Sequence, residues 1–187
     1  MSSDQSRPPW EPPFHGSEAE HLLGSLDRLR ATFRWKADGL DTAQLRTRLP
    51  TARLTVGGLV KHLAAQEDYA SGVKIAGGRM PEAWHDHGWD GDDDWEFTSA
   101  AEQTADELYA LYDGAVARSR ALVATAVEKR GLGGDPGVTL DDGTKASIRR
   151  VLFDLLEEYG RHTGHVDLVR EAVDGRIGED PPTDWRP

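Results

Sequence analysis

The residues best suited to chemistry stand close together in the run Glu157-Glu158-Tyr159-Gly160-Arg161-His162-Thr163-Gly164-His165. Glu158 and His162 are four apart, so on a helix both side chains leave one face about 6 Å apart. Leu155, Tyr159 and Val166 flank them and make that face apolar. A carboxylate in such surroundings is costly unless it is paired or coordinates a cation. A neutral imidazole beside it is a natural co-ligand. A second histidine, His62, falls between Leu59 and Leu63 on another apolar stripe. His62, Glu158 and His162 thus make a candidate three-ligand metal set, of the kind bundles build from facing helices. Such a set leaves coordination positions for water or substrate.

Each residue taken alone has a plainer reading. A lone histidine on an apolar helix face is more often a packed, hydrogen-bonded side chain. Glu158 is also a natural ion-pair partner for Arg161 or Arg118. His162 and His165, three apart, form an alternative chelate, with Glu158 then supporting it from behind. His85 and His87 point to opposite sides if their segment is extended, and His15 and His21 carry no pattern. The acidic residues 90–95 are not a calcium loop, because Trp95 occupies the glycine position and the bidentate acid is missing. Residues 131–134 lack the Gly-Lys-Ser/Thr of a phosphate loop. The chain has no cysteine. That excludes disulfides, thiolate zinc sites and a cysteine nucleophile, so any thiol chemistry must use a thiol supplied by a small molecule.

Four amphipathic helices must position these residues. The first spans 17 to about 39, opening with the capping box Ser17/Glu20 and presenting Leu22, Leu26, Leu29, Phe33 and Leu40 on one face. The second follows Thr55 and carries Leu59, His62, Leu63, Gln66, Tyr69, Ala70 and Val73. Gly57-Gly58 weakens its first turn and Gly77-Gly78 closes it. The third follows the capping box Thr104/Glu107 and ends near Gly131. The fourth starts at Ser147 and buries Ile148, Leu152, Leu155, Tyr159, His162, Val166 and Val169. Residues 79–98 show no helical period and hold Trp84, Trp89 and Trp95. They read as a crossover whose aromatics plug the bundle, or as a lid over a site. Asp142-Gly143 is placed to turn a very short hairpin before the last helix. The expected fold is an all-α four-helix bundle with one long crossover. Its domain is expected over 17–175, with an irregular arm over 1–16 and an irregular tail over 176–187.

Composition narrows the partners. A chain of 187 residues with 37% hydrophobic content can bury one sizeable core. Its net charge of −11 and lack of a basic stripe disfavour nucleic acid. No apolar run reaches the roughly 18 residues of a membrane span. The N-terminus lacks a basic segment followed by an apolar run, so the expected address is the cytosol.

Three stretches together resemble a known family: Phe33-Arg34-Trp35-Lys36, then Leu59-Val60-Lys61-His62-Leu63-Ala64, then the run from Glu157 through His165-Val166-Asp167-Leu168. They resemble the DinB/YfiT-like superfamily, and within it the mycothiol-dependent S-transferase-like branch, over about 17–175. The resemblance implies a four-helix bundle with a divalent metal, zinc or nickel, bound by one residue of the second helix and two of the last. Those positions are His62, Glu158 and His162 here. Many members have histidine where this chain has Glu158. Many continue Arg-Gly-Gln after the second ligand, where this chain has Thr163-Gly164-His165. His165 then stands at a position usually held by a non-ligand, and with Tyr159 it is a candidate to face the thiol cosubstrate. The implied activity is metal-dependent transfer of a low-molecular-weight thiol, mycothiol or a similar one, to a small electrophile. The alternatives are a non-catalytic metal-binding stress-response protein of the same fold, or a metal-dependent isomerase or hydrolase. The expected partners are that thiol and electrophile, with no nucleic acid and no membrane; a homodimer is compatible with the same fold.

Overall fold

A hydroxyl side chain opens each of the four long helices. Ser17, Thr55, Thr104 and Ser147 each accept a hydrogen bond from a backbone N–H of the first turn, satisfying a donor that has no partner within the helix. In the computed structural model, which describes residues 8–49, 53–85, 94–139 and 143–187, these caps start α1 (Glu18–Ala37), α3 (Val56–Asp68), α6 (Ala105–Arg130) and α7 (Ile148–Asp174). The capping boxes read at Ser17/Glu20 and Thr104/Glu107 are both formed. A short α2 (Thr42–Leu45) follows α1, and α3 continues as a π-helical stretch, Tyr69–Ile75.

The fold is the expected all-α bundle. The α1 and α7 helices pack together extensively, as do α3 and α6, and α3 also touches α7. Leu26, Phe33, Leu59, Leu63, Tyr112 and Tyr159 are among the fully buried side chains between them. Phe33 meets the rings of Tyr112 and Tyr159 at 5.5 and 6.1 Å; truncating it to alanine would cost about 3–5 kcal/mol.

Polar groups inside the bundle are closely matched. Arg30 donates twice to Glu67, at 2.7 Å each, and once to Ser119. Tyr159 donates to Glu67 at 2.7 Å and lies 2.9 Å from the Tyr112 hydroxyl. Burial, then the Glu67 charge, hold the Tyr159 hydroxyl well above its ordinary range, so it remains a donor. Beside Glu67, Asp68 accepts two bonds from Arg118 and one from the Trp84 indole.

The crossover differs from its sequence reading. Residues 79–98, expected to lack helical structure, contain α4 (Glu82–His85) and α5 (Trp95–Ser99), the latter running into a 3-10 turn, Ala100–Glu102. Helices of four or five residues are too short to show a hydrophobic period and too short to be stable alone; packing holds them. Trp84 is plugged into the core and Trp95 covers the Lys61 ammonium at 4.2 Å. Gly57 and Gly58, which cost α3 some helix propensity, allow this packing. A β-carbon on Gly58 would come within 3.3 Å of the Phe97 backbone, and one on Gly57 within 3.2 Å of the Leu45 carbonyl. Trp89 and the turn of the expected hairpin lie outside the described residues. The residues flanking that turn, 138–139 and 143–146, form no strand.

Candidate metal centre

The α3 and α7 helices bring His62, Glu158 and His162 to one place. One ligand atom from each lies within 4.8 Å of the others. The Glu158 Oε2 is 3.4 Å from His62 Nε2 and 3.2 Å from His162 Nε2. A tetrahedral ion with bonds of about 2.0–2.2 Å spaces its ligands roughly 3.3–3.6 Å apart, so the donors suit a divalent cation in chemistry, and the two separations from Glu158 suit it in spacing. The cations proposed as partners for Glu158 are engaged elsewhere: Arg161 reaches Glu157, and Arg118 holds Asp68. Among the described residues, the basic side chains within 4 Å of the Glu158 carboxylate are the two imidazoles.

Burial, and next the neighbouring His62, push the His162 imidazole down to about 4. It is therefore neutral near pH 7, the form able to donate a lone pair. Its Nδ1 is 3.2 Å from His165 Nδ1. His165 thus meets the ring on the nitrogen that does not face Glu158. Tyr159, the other candidate for the cosubstrate, is not brought to these donors: it is fully buried and spends its hydroxyl on Glu67 and Tyr112. His15 and His21 are exposed, and His87 lies outside the described residues.

Two residues that sequence reasoning missed touch His62. Glu96 Oε1 is 3.4 Å from His62 Nδ1, and the Phe97 ring stacks on the His62 ring at 4.7 Å, tilted 23°. Their only signal in the sequence is a carboxylate and an aromatic in an acidic, tryptophan-rich stretch. The site opens at Glu158, whose side chain is 35% exposed. Glu158 lines a pocket of about 230 Å³ with Gln66, Ala70, Lys74, Asp154 and Leu155. A larger hollow of about 490 Å³, between α1, α6 and the two chain ends, shares no residue with the donors.

A helical bundle with a His-Glu-His corner defines a class, the DinB-like proteins with a candidate divalent-metal site. Within it, a family model for mycothiol-S-transferase matches residues 21–175, from the first turn of α1 to the residue after α7. The chain belongs to that family. A comparison with curated proteins gives no match. Among the described residues, no helix is long and apolar enough to cross a membrane.

Proposed function

We propose that this protein transfers a low-molecular-weight thiol, mycothiol or a close analogue, to a small electrophile in the cytosol, using a divalent ion held by His62, Glu158 and His162. Zinc is the first choice and nickel the second, since imidazole and carboxylate suit both. The observation that carries the reading is the convergence of three acceptor atoms around one point in a member of the mycothiol-S-transferase family that has no cysteine of its own.

A divalent ion bound there would favour the thiolate of a coordinated thiol, which for a free thiol of pKa about 8.5 is only a few per cent of the total at neutral pH. The side chains do the rest. Two imidazole nitrogens and one carboxylate would hold the ion with a single negative charge from the side chains, so that it would stay net positive towards a thiolate. Phe97 and the core beneath His62 keep water from that side of the ring. The Gln66 amide and the Lys74 ammonium, in the pocket beside Glu158, are suited to the hydroxyls of a sugar-linked thiol. The net charge of −11 disfavours strongly anionic acceptors.

The test is conjugation of a chromogenic electrophile with mycothiol, bacillithiol or glutathione, with and without chelator, across about pH 6–9. The rate over background should need the metal and be largest below about pH 8, where free thiolate is scarce. No rate with any thiol in metal-loaded protein would leave a non-catalytic metal-binding protein. A rate that survives the chelator would remove the metal from the mechanism.

A further inference from the structure

We propose that Glu96 is the positioning residue of His62: its carboxylate accepts the Nδ1 proton, and this leaves Nε2 as the lone pair aimed at Glu158 and His162. The His62 ring lies between two carboxylates, Glu96 on Nδ1 and Glu158 on Nε2, at 3.4 Å each. A neutral imidazole has one proton to place. Burial decides where it goes. The Glu96 side chain is 9% exposed and that of Glu158 is 35% exposed. Water can satisfy Glu158 but hardly reaches Glu96, and a buried acceptor without a donor is the costlier of the two. The proton therefore belongs on the Glu96 side. A carboxylate behind an imidazole also fixes the ring and raises its basicity as a ligand.

The fold supports this placement from three consecutive residues of α5. Trp95 packs against the Lys61 ammonium, which also feels the Glu102 and Glu96 charges. Glu96 accepts the hydrogen bond of His62 Nδ1–H. Phe97 stacks on the same ring, and its backbone approaches α3 at Gly58, where a β-carbon would crowd it. The crossover thus does more than connect α3 to α6: it sets the tautomer and orientation of the one donor that α3 contributes. The two histidines differ accordingly, His62 backed by a carboxylate and His162 by the imidazole of His165.

The tautomer part of this inference stands without a metal; its consequence for affinity rests on the proposed function. The experiment compares wild type, Glu96→Ala and Glu96→Gln in two measurements. Long-range proton–nitrogen correlation spectra of metal-free protein, at about pH 8 and so above the ordinary imidazole range, report the His62 tautomer. Wild type should show Nδ1–H, and Glu96→Ala should lose that preference. Zinc affinity, by competition with a chelating dye, should fall about 10- to 100-fold in Glu96→Ala. It should fall less in Glu96→Gln, whose amide oxygen still accepts the proton. A merely structural role would lower the melting temperature and leave the tautomer unchanged. An Nε2–H tautomer in wild type overturns the proposal, even if Glu96→Ala fails to fold. So does the same tautomer in both proteins, or equal zinc affinity in both. If wild type shows the expected tautomer and binds no zinc, the metal reading fails and the role of Glu96 stands.

Discussion

Glu67 and Glu158 are both carboxylates at the junction of α3 and α7, and they have opposite surroundings. Glu67 is completely buried and fully partnered, with two short bonds from Arg30 and one from Tyr159. Burial alone would lower the Arg30 pKa, but the Glu67 charge overrides it and holds the guanidinium above its ordinary range. Each charge there is neutralised from within the chain. Glu158, one residue before Tyr159, faces two imidazoles instead, at 3.2 and 3.4 Å. One of them is held neutral by burial and by the other. Among the described residues no Lys or Arg forms an ion pair with Glu158, so these acceptors could hold a cation from outside. Neighbouring positions on one helix, about 100° apart around its axis, therefore serve a closed structural cluster on one side and a more open candidate metal site on the other.

That contrast can be broken most directly at Arg30. Arg30→Met should destabilise the metal-free protein by about 3–5 kcal/mol, because it leaves Glu67 buried and uncompensated. Adding Glu67→Gln should recover part of the loss. Urea denaturation measures both, and a cost below about 1 kcal/mol for Arg30→Met would show that the closed cluster is not what holds the core. Glu158→Gln should behave in the opposite way. Zinc affinity should fall at least about tenfold, while metal-free stability should change by less than about 1 kcal/mol. Titration of metal-depleted protein beside a urea curve separates the two effects, and tight zinc binding in both Glu158→Gln and His162→Ala would remove these residues from the site.

Acid provides a third comparison. His162 is held below its ordinary value of 6.5, at about 4 in the folded protein. Between those values the unfolded chain binds a proton that the folded chain does not. The associated stability is present above about pH 6.5 and is lost as pH falls towards about 4. His162→Gln should show a smaller loss than wild type between about pH 7 and about pH 4.5 in the metal-free state, and parallel losses would mean that His162 does not titrate in this window. The smallest effect is expected at His165. His165→Gln should change zinc affinity by less than about threefold, since its near nitrogen meets the side of His162 away from Glu158. A loss larger than that of Glu158→Gln would make the i,i+3 histidine pair the chelate.

Local rules made much of this readable. The four hydroxyl caps and the apolar stripes set the long helices, and the four-residue spacing of Glu158 and His162 put both on one face, because a helix fixes relations within a turn or two. His62 was legible as the third member because it interrupts an apolar stripe on a different helix. The helix-free crossover was read from missing periodicity, and so weak a local signal yields to packing.

What the sequence by itself determined is therefore the helical frame and the identity of three convergent donors, since both follow from periodicity and side-chain chemistry. The tertiary structure alone decided what stands behind each donor. Glu96 reaches His62 across 34 residues and Arg30 reaches Glu67 across 37. In sequence, Glu96 cannot be told from the acidic residues around it, nor Glu67 from a surface glutamate. The difference between them arises only when the chain closes on itself, because burial removes the water that would otherwise satisfy each carboxylate and makes its one remaining partner matter.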